Sequence, residues 1–166
     1  MNLQSHGEAG PHSGHLVGRE CPTFRVQDTF GDWVGPGELS GGPALVVFFP
    51  FAFTPVCDQE LTELNARIRE FDDVAVLAIS CDPIASLVAW QEHQGYVFDL
   101  GSDFWPHGKA ARAFGVFNDV EGYARRGSFV LNPHGKITWS VVNPSGKPRS
   151  VDDYLAALAP WLPGRG

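Results

Sequence analysis

The sequence predicts an α/β fold with a central mixed β-sheet flanked by helices. Three observations predict it: continuous apolar runs at 44–49 and 74–80, a helical apolar stripe between them, and two later apolar segments separated by Asn132-Pro133-His134-Gly135. A run that is apolar at every position suits a strand covered on both faces, as the inner strands of a parallel sheet are. The later pair, joined by a turn-forming tetrapeptide, suits an antiparallel hairpin. With 166 residues, 43% of them apolar, the chain can bury a core of ordinary size and suits one domain.

Each element follows in chain order. Residues 1–17 mix Gly, His, Ser and Pro with few apolar side chains, too few to offset the entropy of ordering, and are expected to form a flexible tail before a domain at 18–166. His6, His12 and His15 lack a neighbouring Cys or acidic cluster that would complete a metal site, so no metal is expected. The Gly/Pro-rich stretch at 35–43 reads as a loop, and 44–49 as the first central strand. Cys57, Leu61, Leu64, Ile68 and Phe71 then recur at helical steps on one stripe, with Asp58, Glu63 and Arg67 facing away and Glu60 read as a surface acid. After the strand at 74–80, a second helix begins with Asp82 as N-cap and Pro83 in its first turn, and ends before Gly95. A short helix near 106–114, strands near 128–131 and 137–142, and a terminal helix near 151–159 complete the chain. A parallel βαβ unit followed by an antiparallel hairpin and a helix is the order of a thioredoxin-like sheet.

Charge and cysteine usage narrow the function. A net charge of -7 opposes binding to nucleic acid or an anionic membrane, since both require a basic surface. The longest apolar runs are far shorter than a membrane span, and the amino-terminus has no apolar signal core, so a cytoplasmic protein is expected. Three cysteines, an odd count without a dense framework, suit a reducing compartment.

One of those cysteines has an unusual place. With Thr54 as N-cap, Pro55 takes the first helical position and Cys57 falls in the first turn, over backbone N–H groups that have no helical partner. Those donors and the positive end of the helix dipole favour a thiolate, although the apolar stripe beneath the sulfur opposes one, so a nearby cation is required. A dithiol oxidoreductase would need Cys-x-x-Cys, and Thr54 occupies its first position. A cysteine protease would need a partnered histidine, and His93, His107 and His134 fall on a helix, a loop and a turn. A buried packing cysteine, in a non-catalytic thioredoxin-like redox-sensing or binding module, is the competing reading.

The whole stretch Pro50-Phe51-Ala52-Phe53-Thr54-Pro55-Val56-Cys57 resembles the peroxiredoxin family, whose signature is proline, three residues, Thr or Ser, two residues, cysteine. Segments 48–61, 102–118 and 124–135 are similar to its one-cysteine AhpE-type branch, and the pattern Arg-Gly-Ser-Phe places the family's arginine at Arg126, with Arg125 its neighbour. The resemblance implies a thioredoxin-like domain with an N-terminal β-hairpin extension. It also implies a homodimer and a thiol peroxidase acting on hydrogen peroxide, organic hydroperoxides and peroxynitrite without a cofactor. Cys57 becomes a sulfenic acid, with Thr54, Arg126 and Pro50 around it, and an external thiol regenerates it: a low-molecular-weight thiol or a glutaredoxin-like or thioredoxin-like protein. Cys81, ending the second strand, is a candidate resolving residue, and Cys21 a weaker one.

Physical chemistry says where such catalysis must come from. Lowering a thiol's pKa by about three units raises its thiolate fraction roughly thirtyfold at neutral pH, and a Brønsted slope near 0.4–0.5 returns about fifteen- to thirtyfold of that. The donors that hold the peroxide oxygens therefore carry the rate, and a guanidinium with a hydroxyl beside it supplies them.

Overall fold

The structure, a computed structural model, describes residues 14–163. A 3-10 turn at Gly14–Leu16 leads into a short hairpin of β1 (Val26–Asp28) and β2 (Trp33–Val34), the expected N-terminal extension. The segment read as a loop at 35–43 contains one helical turn, α1 (Pro36–Leu39). Then come β3 (Ala44–Phe48), α2 (Pro55–Ala66), a 3-10 turn at Ile68–Phe71, β4 (Ala75–Ser80), α3 (Ile84–Gln94) and β5 (Asp99–Ser102). They are followed by α4 (Lys109–Ala113), a small hairpin of β6 (Phe117–Asn118) and β7 (Tyr123–Ala124), then β8 (Arg126–Leu131), β9 (Ile137–Asn143) and α5 (Val151–Leu158).

The main sheet runs in the order β2-β1-β5-β4-β3-β8-β9. Its centre, β3, pairs parallel with β4 and antiparallel with β8, so the sheet is mixed as the sequence predicts. Alternation along β3 divides the core in two. Leu45, Val47 and Phe49 face Leu61, Leu64, Trp90 and Tyr154 of α2, α3 and α5, while Ala44, Val46 and Phe48 face Leu39, Ala111 and Phe114 of α1 and α4. This is a thioredoxin-like α/β fold with helices on both faces.

Several local expectations are corrected. The stripe of Cys57, Leu61 and Leu64 is buried, but α2 stops at Ala66 and Phe71 belongs to the following 3-10 turn. Asp58 does not face away: its carboxylate accepts hydrogen bonds from Trp90 Nε1 (2.7 Å) and Gln94 Nε2 (2.8 Å), tying α2 to α3. Asp82 is not the N-cap of α3, a position taken by Pro83, and its side chain turns toward the loop before α2. Gly95 ends α3 in the left-handed region, φ 72°, as a C-terminal glycine should. The sequence did not reveal β5, whose four residues include two polar ones and Gly101; a Cβ at Gly101 would stand 2.7 Å from Val26 Cγ2 of β1, the antiparallel neighbour of β5.

The tail expected at 1–17 lies mostly outside the described residues. Of those described, Leu16 packs against the α4-side core and Gly18 N–H donates to Ile137 O at 2.7 Å. Among the described residues, no helix is long and apolar enough to cross a membrane.

Candidate active site

The site forms where β3 runs off the carboxyl end of the sheet. Phe49 still pairs, its N–H donating to Ile79 O at 3.0 Å, and Pro50 then ends the ladder because it has no N–H to give. The chain crosses the sheet end with Phe53 at φ 66°, a left-handed conformation that is rare for an aromatic residue. Thr54 holds the N-cap position in extended conformation and Pro55 opens α2. The Thr54 hydroxyl does not cap the helix; it donates back to Phe51 O at 2.7 Å and closes the corner.

Cys57, in the first turn of α2, is wholly buried. Arg126, the first residue of β8, reaches it from the antiparallel strand, with Nη1 donating to Sγ at 3.3 Å. The same Nη1 donates to Glu60 Oε1 at 2.6 Å. Glu60 is therefore no surface acid. Spaced three residues from Cys57 and four from Leu64, it lies on the buried side of α2, only 6% exposed.

A second arginine, which the sequence did not point to, completes the cluster. Arg149 grips Glu60 three times, through backbone N (2.7 Å) and Nε (2.7 Å) to Oε2 and through Nη2 (2.9 Å) to Oε1. Its Nη1 donates to Phe48 O (2.6 Å), Gly127 O (3.0 Å) and Ser128 Oγ (3.0 Å), and Ser128 in turn bonds the Tyr154 hydroxyl at 2.8 Å. Arg149 ends a loop without periodicity, so no pattern marks it; its place just before the N-cap Ser150 of α5 fixes where it enters the core.

The charges explain the geometry. Burial pushes the Glu60 carboxyl up, but the hydrogen bonds and charge of Arg149, and the charge of Arg126, outweigh it and hold the group below its usual range. Two buried guanidiniums against one carboxylate leave one positive charge, and the group beside it is the Cys57 sulfur. Arg126 Nε is also buried and has no hydrogen-bond partner among the described residues, so this guanidinium keeps a spare donor. Arg126 and Pro50 line a cleft of about 430 Å³ with Asn118, Val120, Tyr123 and Asn143.

The other cysteines lie elsewhere. Cys81 follows β4 two residues after Ile79, whose side chain packs on the α1 and α4 face, and alternation continues Cys81 on that face, opposite Cys57. Its thiol is pushed up to about 12, first by burial and then by the charges of Asp103 and Asp82. Cys21 is pushed up to about 12 as well, by burial and then Glu20. The structure brings together Cys57, Arg126, Glu60 and Arg149, with Pro50 on the cleft wall and Thr54 at the helix entry; it does not bring Cys81 into this group.

A thioredoxin-like sheet that buries one cysteine sulfur in the first turn of a helix, against a guanidinium, defines the class of thioredoxin-fold thiol proteins. The comparisons give the family. Residues 17–140 match the model of the AhpC/TSA family. Alkyl hydroperoxide reductase E of Mycobacterium tuberculosis is 40% identical over 146 residues, covering 86% of this chain and 95% of that protein. Thioredoxin peroxidase of Fasciola hepatica is 29% identical over 168 residues, covering 96% and 81%. Among solved structures, Enterococcus faecalis AhpC superposes with a TM-score of 0.77 at 27% identity, covering 86% of this chain and 90% of that one. Peroxidoxin BcpB from Mycobacterium tuberculosis gives 0.76 at 27% identity, covering 86% and 95%. The chain belongs to the AhpC/TSA peroxiredoxin family. It is a thiol-dependent peroxidase, and the non-catalytic alternative is not favoured.

Proposed function

We propose that Cys57 is the residue that reduces the peroxide. Its thiolate attacks the terminal oxygen of R–O–O–H; the S–O bond forms as the O–O bond breaks, the bonding pair leaves on RO⁻, and a proton converts that to an alcohol or, for hydrogen peroxide, water. The sulfur is left as a sulfenic acid. The observation that carries this reading is the Arg126 Nη1 contact with Sγ at 3.3 Å, because the same guanidinium can follow the charge from sulfur to the departing oxygen. The Thr54 oxygen keeps lone pairs to accept from the peroxide, and Pro50 shapes the cleft wall. A cleft of about 430 Å³ is far larger than hydrogen peroxide needs and supports organic hydroperoxides, such as the alkyl hydroperoxides in the mycobacterial relative's name, beside hydrogen peroxide and peroxynitrite.

Regeneration is assigned to an external thiol, a low-molecular-weight thiol or a glutaredoxin-like or thioredoxin-like protein, in a reducing, cytoplasmic setting that suits three free cysteines. Two features support this over Cys81: its place on the other face of the sheet, and a thiol that ionises far above neutral pH. A neutral sulfenic acid leaves the Arg126–Glu60–Arg149 group one positive charge in excess, which attracts an incoming thiolate. Residues 18–166 act as one domain in this reading. Homodimer formation is supported by the exposed apolar side chains at the sheet end, Phe51, Phe53, Phe104, Trp105 and Val120. They present on the order of 500 Å² per copy, so two copies face to face reach about 1,000 Å², the lower bound for a specific interface.

Trapping with a sulfenic-acid reagent after one equivalent of peroxide, followed by peptide mass spectrometry, tests the assignment. The adduct is expected on Cys57 and absent in Cys57→Ser, which should also lose peroxide reduction. Full activity in that variant would end the proposal.

A further inference from the structure

The corner that carries Phe53 and Thr54 into α2 is held by a residue outside the site described above. Asp82 Oδ2 accepts the Ala52 N–H at 2.9 Å. The carboxylate is itself fixed, receiving Ser80 Oγ at 2.6 Å, while the Asp82 N–H donates to Ser80 Oγ at 3.2 Å and Ser102 Oγ donates to the Asp82 carbonyl at 2.7 Å. Ser80 is fully buried at the end of β4, and Ser102 ends the neighbouring β5. Asp82 is thus bolted to the rigid ends of two parallel strands and extends one acceptor to the loop leaving the third.

That acceptor has a mechanical purpose. Phe53 sits at φ 66°, which a residue with a Cβ adopts only when its surroundings hold it there. Two bonds hold the corner: Thr54 Oγ1 to Phe51 O at 2.7 Å and the Ala52 amide to Asp82. The first joins the corner only to itself. Among the described residues, the Asp82 bond is the hydrogen bond that ties the corner's backbone to the strand ends, and the burial of Ala52 in the α2-side core and the ring contacts of Phe51 with Tyr123 (5.0 Å) and Phe53 with Trp90 (6.2 Å) add packing to it. The corner places Ala52 in the same buried cluster as the wholly buried Cys57, and Thr54 at the helix entry.

We infer that Asp82 is a positioning residue for peroxide reduction: by holding the Ala52 amide it keeps the 50–54 corner closed over Cys57 and aligned with Arg126. The inference rests on Cys57 being the reacting sulfur. Opening the corner misaligns Thr54 and the sulfur, which slows peroxide, and uncovers the sulfur, which speeds a bulky alkylating reagent. The two rates move in opposite directions while a distant thiol keeps its labelling rate, which a general loss of packing would not allow.

The test compares wild type, Asp82→Ala, Asp82→Asn and Ser80→Ala. It measures the second-order rate constant with hydrogen peroxide by stopped-flow tryptophan fluorescence, and maleimide labelling of Cys57 and Cys21 by peptide mass spectrometry. Asp82→Ala is expected to lose about tenfold or more with peroxide and to gain about tenfold in Cys57 labelling, the size expected for one charge-assisted hydrogen bond, with labelling of Cys21, whose thiol is raised by burial and Glu20 and not by Asp82, unchanged. Asp82→Asn keeps an oxygen acceptor for the Ala52 amide and should recover the rate to within about threefold. Ser80→Ala, which loosens the carboxylate without removing it, should shift both rates the same way by less, and serves if Asp82→Ala does not fold. Wild-type behaviour in Asp82→Ala overturns the proposal, as does an equal gain in labelling of Cys57 and Cys21, which would mean global loosening, or failure of Asp82→Asn to recover. A wild-type sulfenic acid found away from Cys57 overturns the site reading instead, and the labelling arm still reports whether Asp82 closes the corner.

Discussion

Replacing Glu60 with Gln tests the buried charge cluster with almost no change in shape. Glu60 accepts four hydrogen bonds from two guanidiniums and one amide. An amide oxygen in place of Oε1 keeps the bonds from Arg126 and Arg149 Nη2, but the NH₂ then faces Arg149 N and Nε, donor against donor. Both salt bridges lose their charge, with every partner no more than 5% exposed. Removing one member of a buried ion cluster costs about 3–5 kcal/mol, and in a chain of this size each kcal/mol lowers the melting temperature by about 2–4 °C, so a drop of roughly 6–20 °C is expected. The pH dependence gives a second signature. The folded Glu60 carboxyl lies below its ordinary value of 4.5, so its stabilisation is fully present above that pH and is lost as pH falls through the lower, folded value. The gap between wild type and Glu60→Gln, followed by far-ultraviolet circular dichroism during heating, should be wide at pH 7 and narrow below pH 4.5. A variant melting within 2 °C of wild type at pH 7, or a gap that ignores pH, would refute this account of the cluster.

Three further outcomes follow from the same geometry. Arg126→Ala should slow peroxide reduction by about 10²–10³-fold in stopped-flow kinetics, the usual cost of one preorganised donor. Cys81→Ser should leave single-turnover oxidation intact, and at pH 8 iodoacetamide should spare Cys21 and Cys81, since thiols ionising at about 12 are thiolate in only about one molecule in 10⁴. Trp105→Glu with Val120→Glu should shift sedimentation toward the monomer, because both side chains are about four-fifths exposed at the sheet end and a charge there opposes apolar contact.

The fold was legible wherever burial imposed a pattern. β3 is apolar at every position, and β4 at every position but its last, Ser80, because helices cover both faces, and α2 shows its stripe because only one side meets the core. The elements that escaped notice have no such signature. α1 is one turn inside a Gly/Pro-rich stretch, and β5 is held by its neighbours β1 and β4, not by its own side chains. Asp82 misled for another reason. Asp before Pro is a good N-cap pattern, yet the competing acceptor role, pairing with an amide thirty residues away, leaves no local trace.

The site divides along the same line. Pro50, Thr54 and Cys57 are neighbours in sequence, so the strand-to-helix corner can be read from spacing alone. Arg126 came through the family resemblance, by the pattern Arg-Gly-Ser-Phe, and the structure places it at the head of β8, which pairs with β3. Glu60 and Arg149 were missed together because each makes sense only with the other: a carboxylate on the buried side of α2 is costly until a guanidinium meets it, and Arg149 arrives from 89 residues away. Had Glu60 been taken seriously as lying three residues after Cys57, on the same helical face, its burial would have followed from the stripe already drawn. An acid forced into that core demands a cation, and with Arg126 directed at the sulfur as well, charge balance calls for a second one. Helical geometry and electrostatics thus predict that an arginine must be there, while only the folded chain says which.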